Sequence, residues 1–333
     1  MIPTVFGISC VMFALTQIMP GGPIDRIVQR VKFGSMGSSG TDSGGISEDF
    51  HQALIAHYGY DKPPVARYFH WVGSVLRGDL GESFEYEEPV LKVIVSKFPV
   101  SLTFGLFSFF LVYLLSIPLG IYKAYTHGKW FDSMSSFLLF VAHSIPSFIL
   151  AIALLVIFAG GSYFNIFPAG GLVSDDFHEL SLVAKIKDYF HHIFLPLTAY
   201  VAGQFALSTL LMKDAFLEQK TKAYVLTARA KGLSEVMIAY RHILRNSLTP
   251  MATQISEFTA VFLMGSVLIE QIFNLDGVGL LSYDSILSRD YPVVMGIILL
   301  AAFAQVIGVL ISDLLYVLLD PRVSYKSSLQ ELS

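Results

Sequence analysis

Residues with chemical potential are few in this chain, and most lie in apolar surroundings. His143, Ser144 and Pro146 fall together in one apolar run, Glu257 and Glu270 in a second, Gln305 and Asp313 in a third. An ionisable group inside an apolar span is costly, ~2.5 kcal/mol or more for Asp at the centre of a membrane helix. Each therefore needs a reason to be there. A carboxylate at Glu257 is suited to meet a peptide ammonium on a transport pathway; the plainer alternative has it facing a partner helix, hydrogen-bonded or protonated. Glu270 and Asp313 read as structural polar residues at loop junctions, with Gln305 about two turns before Asp313. Pro146 frees a backbone carbonyl and can kink its helix. With His143 and Ser144 it marks either a hinge beside a watery cavity or a static kink.

Enzyme chemistry finds little support. The adjacent pair His191-His192 sits at a span boundary, where an interfacial anchor is a better reading than a metal site. Gly37-Ser38-Ser39-Gly40 matches the Gly-x-Ser-Gly of intramembrane serine proteases by letter, but it lies in a polar, flexible stretch with no histidine fixed beside it. There is no His-Glu-x-x-His and no Gly-x-x-x-x-Gly-Lys-Ser/Thr, so the reading assigns this chain no catalytic residue, no metal and no nucleotide. A single cysteine, Cys10, excludes an internal disulfide.

The elements that must position these residues are membrane helices. Of 333 residues, 54% are hydrophobic and 14% charged, against about 25% charged in soluble domains. Apolar runs near 2–19, 99–122, 134–159, 193–212, 248–272 and 292–318 approach or reach the ~20 residues that cross a bilayer. The fold class is an all-α polytopic membrane protein of about six transmembrane helices. Residues 1–19 form the first; 20–98 form an outer region with a Gly/Ser insertion and surface helices within 48–77. Residues 99–320 form the core, and 321–333 a tail. The 213–247 loop carries Lys213, Lys220, Lys222, Arg229, Lys231, Arg241 and Arg245 against Asp214, Glu218 and Glu235. The short 123–132 loop adds Lys123 and Lys129. The positive-inside rule places both loops and the two termini in the cytoplasm.

That long basic loop is the most informative feature. Thr221 to Lys231 is built of helix formers and Gly232 stands where it would stop. Small residues at Ala223, Ala228 and Ala230 suit a helix that sits in a partner's groove. A second helical stretch runs from Ser234, a plausible N-cap, to about Arg245. Charge alone leaves open that this loop does no more than set topology, in a secondary transporter or a membrane scaffold.

The element Thr227-Ala228-Arg229-Ala230-Lys231-Gly232, with Pro250 eighteen residues beyond the glycine, resembles the coupling-helix signature of binding-protein-dependent ABC importer permeases. Pro20-Gly21-Gly22-Pro23, Tyr58-Gly59-Tyr60-Asp61-Lys62-Pro63, Arg77-Gly78-Asp79-Leu80-Gly81-Glu82-Ser83 and Ser144-Ile145-Pro146-Ser147-Phe148 are similar to motifs of the oligopeptide and dipeptide permease group. So are Glu270…Gly277-Val278-Gly279-Leu280 and Asp313…Tyr316…Asp320-Pro321-Arg322. Phe158 to Phe164 with Phe167-Pro168, and the Gly/Ser insertion, look most like the Yej-type branch, which is associated with peptides and with the antibiotic microcin C. The resemblance departs at the N-terminus, where the usual basic residues are absent and a short basic head is expected to be missing. It implies a type I importer permease in the bacterial inner membrane, with no cofactor of its own. It further implies an ABC ATPase that binds ATP and Mg, a second permease chain of different sequence, a periplasmic binding protein and a peptide substrate. Residues 227–232 would couple to the ATPase.

Overall fold

A computed structural model describes residues 2–18, 62–161, 163–256, 259 and 265–319. The helices are α1 (Ile2–Ile18), α2 (Pro64–Val75), α3 (Val90–Tyr125), α4 (Trp130–Ser144), α5 (Ser147–Phe158), α6 (Leu182–Lys220), α7 (Ala223–Ala230), α8 (Glu235–Ile238), α9 (Leu244–Ser247), α10 (Thr249–Thr253), α11 (Val267–Ile272), α12 (Val278–Leu287) and α13 (Tyr291–Leu319). A π-helical turn, Ala239–Ile243, joins α8 to α9. The described residues contain one isolated bridge, Glu82 with Pro89, and otherwise helices, turns and loops.

Among the described residues α3, α6 and α13 are long and apolar enough to cross a membrane, and α4 with α5 would add a fourth span broken by a 97° bend. The first span, 17 residues long, is the shortest of the expected set. In the expected span 248–272, residues 257, 258 and 260–264 lie outside the description. Two spans are longer than their apolar cores. With 36 residues, α3 extends about 54 Å at 1.5 Å per residue, well beyond ~30 Å of hydrocarbon. With 39 residues, α6 does the same. Their polar ends dilute the apolar signal, so a hydropathy window sees only the middle.

The chain forms two compact units, Met1–Ser96 with Leu281–Phe303, and Lys97–Leu280 with Ala304–Ser333. In the first, α2 is the surface helix expected within 48–77. Its buried Tyr68 hydroxyl lies 2.8 Å from Ser9 Oγ and its ring meets Phe6 and Phe13 edge-on. The Arg77–Ser83 motif gains a physical reason here. Ser83 Oγ donates to the buried Asp290 carboxylate at 2.5 Å, and the Phe84 and Glu85 amides donate to it at 3.1 Å. One carboxylate thereby holds the turn that leads into α3.

The second unit packs two apolar cores. One gathers Phe104, Val112, Ala151, Ile193, Ala199 and Phe273 among others. The other gathers Ala124, Met212, Phe216, Val225, Ala228, Ile238 and Met251. The helix α7 is therefore fastened to the membrane helices by its own buried face.

Candidate functional site

The basic segment after α6 folds as a compact arm. Thr221 ends α6 and Lys222, in extended conformation, precedes α7. The eight residues of α7 lie within the expected stretch 221–231. Gly232 stops it with φ +80°, a left-handed conformation that costs an L side chain ~1–2 kcal/mol. The Leu233 amide turns back to the Ala228 carbonyl, closing the helix end. Ser234 caps the next helix by accepting from the Met237 amide at 3.4 Å. Arg229 grips Glu235 with Nε at 2.6 Å and Nη2 at 3.0 Å, a bidentate clamp across the turn. The guanidinium holds the Glu235 carboxyl below its usual range.

The arm divides its residues unlike the expectation. Val225 and Ala228 are buried in the arm's own core, so Ala228 faces inward and leaves no groove contact to a partner. Their three-residue spacing directs the rest outward. Thr227, Arg229, Ala230, Lys231 and Gly232 are exposed, and a Cβ built on Gly232 meets open space. The sequence reading also missed a set of exposed apolar side chains. Leu226 is 60% exposed, Val236 68% and Tyr240 71%, and Met237 stands between them in sequence. A cluster of this kind marks a contact surface. The signal was present in the period: once Val225 and Ala228 point in, Leu226 must point out.

A second feature is a cavity of about 400 Å³ at the break between α4 and α5. His143, Ile145, Pro146, Ser147 and Leu150 line it from the break, Tyr200, Gly203 and Gln204 from α6. Its lining carries no Asp, Glu, Lys or Arg. His143 Nδ1 lies 3.3 Å from the Gly203 carbonyl. Ser144 is apart from the lining and returns its hydroxyl to the Phe140 carbonyl at 2.8 Å. The structure thus brings His143 and Pro146 together at one cavity; Glu257 lies outside the described residues.

Glu270 is fully buried. It accepts from the Ser266 amide at 3.1 Å, the Leu280 amide at 2.8 Å and the Tyr200 hydroxyl at 3.4 Å. A Cβ on Gly277 would fall 2.6 Å from its carboxyl carbon. The Glu270…Gly277-Val278-Gly279-Leu280 motif is thus a carboxylate wrapped by backbone, and glycine is required where the wrapping is closest. Asp313 departs from its expected junction. It lies within α13, six residues before its end, and is exposed, as is Gln305. His191 and His192 bond different partners, the Ile166 carbonyl at 2.7 Å and the Asp188 carbonyl at 2.9 Å.

Residues 116–325 match the family described as binding-protein-dependent transport system inner membrane component. The chain is 40% identical to the peptidoglycan transport system permease protein YejB of Agrobacterium fabrum, covering 98% of this chain and 96% of that protein. It is 41% identical to the inner membrane ABC transporter permease protein YejB of Escherichia coli O157:H7, with the same coverage. The dipeptide transport system permease protein DppB of Escherichia coli K12 is 32% identical over 98% of this chain and 96% of its own.

Proposed function

This chain belongs to the binding-protein-dependent transport system inner membrane components, as a multi-pass permease subunit of an ABC peptide importer, and from that premise we propose how its parts divide the work. The arm at 223–247 receives a separate ATPase subunit. That subunit binds ATP and Mg and hydrolyses the nucleotide; this chain contributes no catalytic group. The arm and both termini lie on the cytoplasmic side. A second permease of different sequence completes the pathway, and a periplasmic binding protein delivers the substrate. Short peptides and peptide-like compounds, the antibiotic microcin C among them, are the cargo. This follows the peptidoglycan and dipeptide transport named for its relatives.

The observation that carries this reading is the two-sidedness of the arm. Its buried face, Val225 and Ala228, ties it to helices α3 and α6. Its outer face offers Leu226, Val236, Met237 and Tyr240 beside Arg229 and Lys231, an apolar centre with a basic rim. ATP binding draws the ATPase domains together, moves the arm, and reorients α6 and the helices packed on it. ATP biases the outward-open state only by its differential affinity for the closed ATPase pair. The cavity at the α4–α5 break is the station through which substrate passes. Its uncharged polar lining suits peptides without selecting a side chain of either sign.

The test is a tagged pull-down from detergent-solubilised membranes, with wild type beside Gly232→Trp. Wild type should bring down an ATPase and a second permease, and the variant should lose the ATPase while remaining inserted. Wild type recovered without an ATPase under mild conditions, together with uptake driven by a proton gradient, would replace this reading with a secondary transporter.

A further inference from the structure

Beside the arm the second unit buries a group of charges that the transport reading does not use. Lys123, near the end of α3, has no side-chain exposure, and Asp132, in the first turn of α4, is 5% exposed. Lys213 of α6, 11% exposed, reaches the same carboxylate. Its Nζ lies 2.7 Å from Oδ1 and 2.9 Å from Oδ2 of Asp132. Lys123 Nζ lies 3.1 Å from Oδ1. Lys123 also donates to the Asp132 carbonyl at 2.9 Å, Ser135 Oγ at 2.6 Å and Ser136 Oγ at 2.9 Å. The Gly128 amide and His127 Nδ1 complete the carboxylate's shell at 3.2 Å. Three helices thus converge on one anion.

Stability alone does not explain such a group, since apolar side chains of similar volume serve a buried site as well or better. What it joins is more telling. One turn earlier, Gly120 of α3 lies so close to α6 that an added Cβ would stand 2.7 Å from Met212 Cβ and 2.9 Å from the Thr209 carbonyl. One turn later, the Tyr125 ring lies 5.6 Å from the Phe216 ring, and Lys220 Nζ sits 5.0 Å over Tyr125. Lys220 is the last residue of α6, and α7 begins at Ala223. A continuous joint therefore runs along α6 from Thr209 to the root of the arm. The nearest sharp discontinuity on the other side is the 97° break between α4 and α5.

We infer that Lys213 and Asp132 are positioning residues of the transport cycle, which make the arm, the end of α3 and the start of α4 move as one body. The inference rests on the assignment of 223–247 as the ATPase-receiving arm. A carboxylate held by two ammonium groups has one arrangement that pairs all three charges. A displacement of α6 is thereby passed to α4 rather than lost as local slip, and the bend is left to the α4–α5 break.

The test uses the complete transporter, purified through this chain and reconstituted with its binding protein in proteoliposomes, with a tripeptide as cargo. Lys213→Gln removes the α6 link yet leaves Lys123 and Asp132 as a balanced pair, so the chain should fold and hold its ATPase. The number of peptides moved per ATP hydrolysed should fall about fivefold or more, and Lys213→Arg should restore most of it. Asp132→Asn should give the same loss. An unchanged ratio in Lys213→Gln would overturn the inference, as would loss of assembled complex in that variant, which would assign the group to folding alone. A wild type that yields no ATPase would instead remove the importer reading beneath it.

Discussion

Arg229 and Glu235 close the arm from opposite sides of Gly232, with the guanidinium bound to both carboxylate oxygens at 2.6 and 3.0 Å. The clamp spans the one left-handed residue of the turn, so it fixes the angle between α7 and α8. Both side chains are exposed, and in such settings an ion pair adds little to global stability. Its effect is local. Glu235→Gln should leave the unfolding temperature nearly unchanged while amide exchange across 229–235 speeds up.

The same pair sets a pH dependence. The guanidinium lowers the Glu235 pKa below its unfolded value, which for a glutamate is about 4.3. The clamp's contribution is therefore fully present above that value and is lost as pH falls through the lower folded one. The difference in exchange between wild type and Glu235→Gln should persist at pH 7 and vanish in strong acid. A difference that survived there would mean the clamp does not order the turn.

Gly203 lines the cavity, and a Cβ built on it meets nothing within 4 Å. Gly203→Trp should thus insert and assemble normally, because the new ring enters open space. Peptide uptake should drop about tenfold or more, the loss expected when a pathway is occluded at a cost of ~1.4 kcal/mol or greater, while ATP hydrolysis continues. Unchanged uptake would take the cavity off the pathway.

Glu270→Ala should destabilise the detergent-solubilised protein by about 2 kcal/mol or more, since it strands the buried Ser266 and Leu280 amides. Gly277→Ala should destabilise it for the opposite reason, by crowding the carboxyl. The two effects should be strongly non-additive in a double-variant thermal melt, as expected for residues in contact. Simple additivity would separate the glycine from the carboxylate.

Ser83→Ala should weaken the turn held by Asp290 by about 1.5–3 kcal/mol, the range for a hydrogen bond to a charged group. Proteolysis at 79–88 should rise before any change at the arm.

Much of this was legible in the sequence because the bilayer is a demanding solvent. The apolar runs at the first and last spans and the stop at Gly232 follow directly from hydrocarbon thickness and backbone sterics. The inward turn of Ala228 was not legible, since a small residue suits a partner's groove and a tight internal contact equally well. Lys123 and Lys213 were counted with the basic loops as topology signals, and the fold buries both around Asp132. Charge counts carry no depth. Nor could the Glu270 motif be understood from its letters, because Ser266 and Leu280 offer main-chain amides that leave no mark in side-chain identity.

The π-helical turn at Ala239–Ile243 bears on the length of this segment. Such a turn holds one residue more than α register allows, and each residue advances a helix by about 100°. The eighteen-residue interval from Gly232 to Pro250 thus contains one residue that contributes phase instead of rise. Deleting it would shorten the segment only slightly. It would rotate the stripe of Val236, Met237 and Tyr240 by more than a quarter turn about the helix axis relative to the span that follows. A single-residue deletion between Ala239 and Ile243 should accordingly be far more damaging than the substitution of any one residue there.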